Sequence, residues 1–444
     1  MGKDSGPSEN WRAYQKSLRK GARRKILIRR IPVLVLCAAV VSALAFLGVY
    51  GGNRILVHFS EASYPETKNN VQQPVSKLDA VDTEELWPLL SSHFQGKDAV
   101  PDFFPIRRND NRLMVQTTVV PKLQKYVYRL LERSQTEMAA VVVMNPSDGS
   151  VLAMTSYQKD GKQDRNLCLE SGFPAASLFK IVSASAAIEK AHFTPNRTVT
   201  FLGRGHTLYR NQLTRKENRY SNRITFRKAF ATSVNPVFGK LGIYSLGREA
   251  IVKYAQRFFF NRPIFFDLPL SPSVIDVPED PYGIAEIASG FNRRTRISPL
   301  HAALFSCAVA NSGKVMKPWV IKQITQDTIP VYQAHPSLLG IPIKEKTARN
   351  LQCMMEDTTR YGTCRKSFWR LRRRKTFRRV KMGAKTGTIN DSSDSHKYDW
   401  ITAYAIQRDG SKGICLAVLE IHGRKLGIRS REIARAIITY AFRS

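Results

Sequence analysis

Acidic residues are scarce in this chain: 35 Asp and Glu stand against 70 Lys and Arg, a formal net charge of +35 over 444 residues. An excess of that size points to polyanionic partners, nucleic acid first among them. Histidine is sparse too, with eight residues and none at metal-ligand spacing, so no metal site and no cofactor are predicted. Six cysteines do not make a disulfide framework. Cys37 lies in an apolar run, and the other five (Cys168, Cys307, Cys353, Cys364 and Cys415) are odd in number. Cys307 and Cys415 sit in hydrophobic stretches and read as buried thiols, which leaves Cys353 with Cys364 as the one pairing to consider.

One long stretch has no charge at all. Ile31 to Tyr50 runs for twenty residues without a charged side chain, long enough as a helix for a hydrocarbon core. Residues 1–30 before it hold ten Lys or Arg against Asp4 and Glu9, which keeps that end inside and sends the rest of the chain outward. A cleaved leader is the competing reading, since Ala43-Leu44-Ala45 fits its small-residue pattern. Phe46, Leu47, Val49 and Tyr50 carry the apolar run past that point, so an uncleaved anchor over 31–52 is the expectation, with 1–30 as a basic tail. That topology argues against nucleic acid, because the basic excess then faces away from it; envelope polymers and anionic headgroups fit better. Residues 53–115, with Pro65, Pro74, Pro88, Pro101 and Pro105 and few periodic runs, read as a short stalk or pedestal.

Three short elements follow in order: Ser177-Leu178-Phe179-Lys180, Ser233-Val234-Asn235 and Lys385-Thr386-Gly387-Thr388. The run from Ser177 to Ala191 is rich in helix formers, has no Gly or Pro and almost no polar face, which predicts a buried helix opening at Ser177. Spacing of three puts Ser177 and Lys180 on one face. Burial of Lys180 would leave a neutral amine near neutral pH, able to take the serine proton. Taken alone, such a pair is more often an N-cap serine and a lysine reaching to the surface. Ser233 and Asn235 are placed on a loop between two helical pieces, because Pro236 disfavours helical geometry at Asn235; an ordinary turn is the plain alternative. Lys385 to Thr388 reads as a strand with a glycine that admits a close neighbour, paired antiparallel with Trp400-Ile401-Thr402-Ala403-Tyr404-Ala405. A basic edge strand with a bulge is its plain alternative.

The three together are the S-x-x-K, S-x-N and K-T-G set of penicillin-recognising serine acyltransferases. On these residues the chain resembles a penicillin-binding protein of the class B, single-function type. Thr117 to Gln124 resembles the opening of that domain, with Val120 where an aspartate is usual. Ala140 to Pro146, with Gly149 and Val151 to Met154, resembles its first hairpin. Gly290-Phe291, Ser298 to Ala303, Asn311-Ser312-Gly313, Gly362-Thr363, Gly413 to His422 and Ser430 to Phe442 continue the likeness over residues 116–444. The resemblance implies an α/β (α+β) transpeptidase fold, with a five-stranded antiparallel sheet flanked by helices beside an all-helical subregion.

The resemblance also implies roles. Ser177 is the nucleophile and Lys180 its base; Ser233 relays a proton and Asn235 holds the substrate amide. Lys385 and Thr386 bind a terminal carboxylate, beside Gly387, and the amides of Ser177 and Thr388 form the oxyanion hole. The implied function is a membrane-anchored D,D-transpeptidase of the periplasm or cell exterior, acting on peptidoglycan stem peptides and lipid-linked precursors. β-Lactams would acylate it, and a glycan-polymerising membrane partner would supply strands. A β-lactamase or β-lactam sensor of the same superfamily, or a non-catalytic wall scaffold, are the alternatives. The basic cluster Arg365 to Lys381, interleaved with Phe368, Trp369 and Phe377, ends just before Lys385. It is expected to flank the cleft, either binding acidic glycan or stem peptide or as a solvated basic loop.

Overall fold

The computed structural model describes residues 99–443 apart from 109–110 and 162–164, together with positions 88 and 90. The expected tail, the apolar span over 31–52 and most of the expected stalk lie outside the described residues. Among the described residues, no helix is long and apolar enough to cross a membrane.

In chain order the elements begin with β1 (Phe103–Arg108), β2 (Asn111–Thr117), α1 (Pro121–Glu132), β3 (Met138–Met144) and β4 (Val151–Gln158). A largely helical stretch follows: β5 (Phe173–Pro174), α2 (Lys180–Lys190), β6 (Thr198–Phe201), β7 (Asn222–Thr225), α3 (Phe226–Ala231), α4 (Asn235–Leu241), α5 (Gly247–Arg257) and α6 (Pro281–Ser289). Then come β8 (Arg296–Ile297), α7 (Pro299–Ala310), β9 (Val315–Met316), β10 (Ile321–Gln326), β11 (Ile329–Gln333), β12 (Leu338–Gly340), α8 (Glu345–Arg360) and α9 (Arg365–Arg372). Strands β13 (Val380–Asn390), β14 (Lys397–Gln407) and β15 (Gly413–His422) precede a last helix, α10 (Ser430–Ala441).

The central sheet has five antiparallel strands in the order β13-β14-β15-β3-β4. Its side chains alternate between faces with the period of two that extended backbone imposes. Ala139, Val141 and Val143 of β3 join Ile401 and Ala403 of β14 and Leu416 and Val418 of β15 in one core, covered by α1, α9 and α10. Ala140, Val142 and Met144 face the other way with Trp400, Tyr404, Ala417 and Leu419, under α2 and α7. These strands are buried on both faces, which explains why their sequences read as nearly unbroken apolar runs.

The end helices show two ways of meeting a core. In α10 the buried residues Ile433, Ala434, Ile437 and Ile438 form one stripe, as one covered face requires. Helix α7 is buried along almost its whole length; Ser298 caps it by accepting from the His301 N–H, and Pro299 occupies its first turn.

Three expectations need correction. Residues 103–115, read as part of a stalk, belong to β1 and β2 of a four-stranded sheet ordered β1-β2-β10-β11. Pairing with β10, some two hundred residues later, is a long-range contact that no local period announces. Cys353 and Cys364 do not pair: all five described cysteines are free. Cys364 instead fills the core beneath α9, where burial pushes its thiol up to about 12. The basic cluster meets the site only at its start: Thr363, two residues ahead of Arg365, touches Thr386, and α9 then packs its Phe368 and Leu371 into the core on the sheet face opposite α2.

Candidate active site

The three motifs come from three separate elements and meet at one place. Ser177 lies in a 3-10 turn, Ala176–Phe179, that runs into α2 at Lys180. The helix therefore opens one turn differently from the expectation that Ser177 caps it, but the spacing of three still brings the two side chains together. The Lys180 Nζ donates to Ser177 Oγ at 2.7 Å. It also donates to Asn235 Oδ1 at 2.7 Å and to the Ser289 carbonyl at 2.5 Å. Those are all three donors an ammonium has, and all three acceptors are neutral groups, so no counter-charge offsets the lysine. Lys180 is fully buried; burial first, and the charge of Lys385 second, push its pKa well below that of an ordinary lysine.

Ser233 and Asn235 sit where α3 ends and α4 begins. Asn235 is the first residue of α4, not a loop residue, with Val234 supplying the extended N-cap conformation that the proline was expected to impose on Asn235. The Asn235 Nδ2 donates to the His206 carbonyl at 2.9 Å, so the amide bridges Lys180 and the loop after β6. Ser233 has φ of 58°, the left-handed region that a side chain with a Cβ rarely adopts. That conformation turns the hydroxyl to Lys385, whose Nζ donates to Ser233 Oγ at 2.9 Å.

Lys385 lies on β13, the edge strand of the sheet, opposite Thr402. It is fully buried and also donates to the Thr386 carbonyl at 2.8 Å; burial brings its pKa down to about 7. A buried amine already engaged by Ser233 is not presented to the cleft, so direct grip of a carboxylate by Lys385, expected from the motif, is not its arrangement in the free protein. The hydroxyls in front of it are better placed: Thr386 Oγ1 lies 2.6 Å from Thr363 Oγ1 in a half-buried pair, and Thr388 is exposed. Gly387 is the point of closest approach to the serine. A Cβ there would stand 3.2 Å from both the Ala176 Cβ and the Ser177 backbone nitrogen.

Several contributors were flagged in sequence without a role, or missed. Gly290 ends α6 with φ of 66°, and a Cβ on it would meet the Ala176 carbonyl oxygen at 2.0 Å; it sets the distance between the Ser289 carbonyl and Lys180. Gly362 packs on the Ala231 carbonyl just ahead of Ser233 and delivers Thr363 to Thr386. Asp399 of β14 is the hidden one. It accepts from Thr388 Oγ1 at 3.3 Å and takes a two-pronged bond from Arg429 at 2.7 and 2.8 Å, with the Ser430 amide at 2.9 Å. Strand pairing places Asp399 directly across from Thr388, a register that only the assembled hairpin makes visible. Beyond Thr388 a groove of about 730 Å3 runs between β13 and α6, lined by Tyr282, Glu286, Phe291, Arg293 and Lys397 among others.

A nucleophile, a buried amine of lowered pKa on it, a second hydroxyl held by another lysine and an edge strand touching the serine amide make up an acyl-transfer constellation. Residues 139–439 match the family described as the penicillin binding protein transpeptidase domain. The chain belongs to that family. Among its relatives, stage V sporulation protein D of Bacillus subtilis is 26% identical over 317 residues, covering 67% of this chain and 47% of that protein. Peptidoglycan D,D-transpeptidase PbpA of Mycolicibacterium smegmatis is 24% identical over 388 residues, covering 77% of this chain and 75% of its own length. The chain thus spans about half the length of the sporulation protein. In three dimensions it is similar to penicillin-binding protein A of M. tuberculosis in an imipenem acyl-enzyme complex, with a TM-score of 0.62, 19% identity and coverage of 74% and 79% of the two chains. The D,D-transpeptidase domain from Eggerthella lenta gives a TM-score of 0.59 at 21% identity, covering 74% of this chain and 82% of that one.

Proposed function

We propose that this protein is a peptidoglycan D,D-transpeptidase, with Ser177 as the acylated residue. The observation that carries the reading is the buried Lys180 amine, 2.7 Å from Ser177 Oγ and held low by its surroundings. An amine that is neutral at neutral pH can accept the serine proton as Oγ attacks the carbonyl of a D-alanyl-D-alanine bond. The C–N bond breaks, an ester forms on Ser177, and the leaving amine takes a proton through Ser233, whose hydroxyl is backed by Lys385. An amine from a neighbouring stem peptide then attacks the ester, restoring the Ser177 hydroxyl.

The backbone amides of Ser177 and Thr388, on either side of the Gly387 contact, suit the developing oxyanion. Thr386 and Thr388 suit the terminal carboxylate, with the Lys385 charge behind them, and Asn235 suits the substrate amide. The groove beyond Thr388 has the size for a stem peptide. A β-lactam, as a mimic of the dipeptide, would leave a lasting ester on Ser177. The uncharged run over residues 31–50 behind a basic tail supports a single-pass anchor with this domain outside the membrane, where precursors and a glycan-polymerising partner would be met.

The test is turnover of a stem pentapeptide by the full-length protein in detergent, with a D-amino acid as acceptor. Release of D-alanine together with acceptor incorporation is expected, both lost in Ser177→Ala. Release without incorporation would mean a carboxypeptidase, and rapid hydrolysis of penicillin would mean a β-lactamase.

A further inference from the structure

A second charged site lies at the start of the edge strand β13, at the opposite end of that strand from Thr388. The C-terminal half of α8, the turn after α9 and the first residues of β13 enclose a cavity of about 220 Å3. Arg360, Arg372, Arg378, Lys381 and Arg408 line it, with Glu356 as the one carboxylate. Glu356 is already spoken for by Arg360 at 3.2 Å. Among the described residues, the ion pairs include none to Arg378, Lys381 or Arg408.

The site is built rather than a chance scatter of surface charge. Arg372 is half-buried, and its guanidinium is fixed by the Thr359 hydroxyl and by the Met382 carbonyl at 3.0 Å. Burial and the neighbouring Arg360 both act against its charge, a conflict that an incoming anion would relieve. Planar, forked donors of this kind match phosphate oxygens. Outside the cavity the charge continues: Arg370 and Arg373 stand over the Trp369 ring at 5.5 and 4.9 Å.

A membrane surface fits less well. A helix that lies on lipid turns its apolar side outward, whereas α9 buries Phe368 and Leu371 in the protein and leaves Trp369 flanked by arginines. The geometry points to a docking site for a phosphate-bearing polyanion of the cell envelope, with one phosphate seated in the cavity and its neighbours running along α9. The envelope address rests on the transpeptidase reading; the binding itself does not.

The test uses the full chain in detergent, with medium-chain inorganic polyphosphate as the probe and penicillin acylation read on the same samples. Arg378→Gln/Lys381→Gln/Arg408→Gln is compared with Arg23→Gln/Arg24→Gln/Lys25→Gln, which removes as much charge from the N-terminal tail. The first triple should weaken polyphosphate binding about tenfold or more and flatten its salt dependence, while the second leaves it within about twofold. Acylation should be unchanged in both, which separates failure here from failure of the transpeptidase reading. Equal loss in the two triples, or no binding by the unaltered protein, would overturn the proposal. So would a preference for phosphatidylglycerol vesicles or for a single-stranded oligonucleotide over polyphosphate.

Discussion

The Nζ of Lys385 donates to Ser233 Oγ across 2.9 Å, so the third motif completes the second rather than facing the cleft itself. The pair divides the two lysines of the site by task. Lys180, against the nucleophile, is the one whose charge burial and its neighbour suppress; Lys385 carries the charge in front of which a hydroxyl is held.

That division predicts a bell-shaped pH dependence of acylation. Burial and the Lys385 charge lower the Lys180 pKa, so its neutral, base-competent form is gained as pH rises through that lowered value. The charge of Lys385 is lost as pH climbs past about 7, where burial places its titration. Activity should therefore rise on the acid side with Lys180 and fall on the alkaline side with Lys385. Lys385→Gln removes the alkaline limb. It also removes a cation that depresses Lys180, so the acid limb moves to higher pH. Stopped-flow acylation by a chromogenic β-lactam across pH reads both; an acid limb that stays in place would break the link.

Lys180→Arg should fail where a lysine succeeds. Guanidinium does not deprotonate in proteins, so it cannot act as the base. The loss expected is that of general-base catalysis, roughly a hundredfold to ten-thousandfold in acylation rate. Lys180→Met removes the amine while keeping the volume of a buried chain, and thermal unfolding should show a fold at least as stable as the parent. Acylation by Lys180→Arg near the parent rate would contradict the assignment.

Asn235→Asp offers a test with a sign. A carboxylate 2.7 Å from Nζ would favour the charged lysine and raise its pKa. Acylation at neutral pH should drop and the acid limb of its pH profile should move to higher pH, whereas Asn235→Ala should lose rate without that shift.

The sequence was most informative where chemistry sits in contiguous residues. The spacing of Ser177 and Lys180, the apolar length of α2 and the pairing of Lys385 to Thr388 with Trp400 to Ala405 follow from local periodicity, and the structure has them in those places. What it hid is non-local. The burial of Lys385 depends on Ser233 arriving from another element with φ of 58°. Asp399 is found only through strand register, and the stretch 103–117 gains its strands by pairing with β10. Gly290 and Gly362 could be noticed in the sequence, but the carbonyls they avoid belong to residues far along the chain.

Gly290→Ala should therefore be costly out of proportion to one methyl. A left-handed conformation costs an alanine about 1–2 kcal/mol, and its Cβ would also collide with the Ala176 carbonyl. Calorimetry should show a lower Tm, and acylation should fall because the same contact spaces the Ser289 carbonyl from Lys180.

Asp399 links the site to acid stability. Burial would raise its carboxyl, but the bonds from Arg429 and the Ser430 amide override that and hold it far below the ordinary value of 3.8. A carboxyl depressed on folding stabilises the native state above its unfolded pKa, and that contribution is lost as pH falls below about 4 toward the folded value. Asp399→Asn should lower stability at neutral pH and flatten its decline in acid, measured by urea unfolding at stepped pH. An unchanged slope below pH 4 would assign the acid sensitivity elsewhere.

The most direct measurement is intact-mass and peptide-mapping mass spectrometry of the full-length protein after exposure to benzylpenicillin. One adduct is expected, on the peptide holding Ser177, persisting over many minutes and absent in Ser177→Ala. No adduct, an adduct on another residue, or one that vanishes within a single turnover would contradict the account.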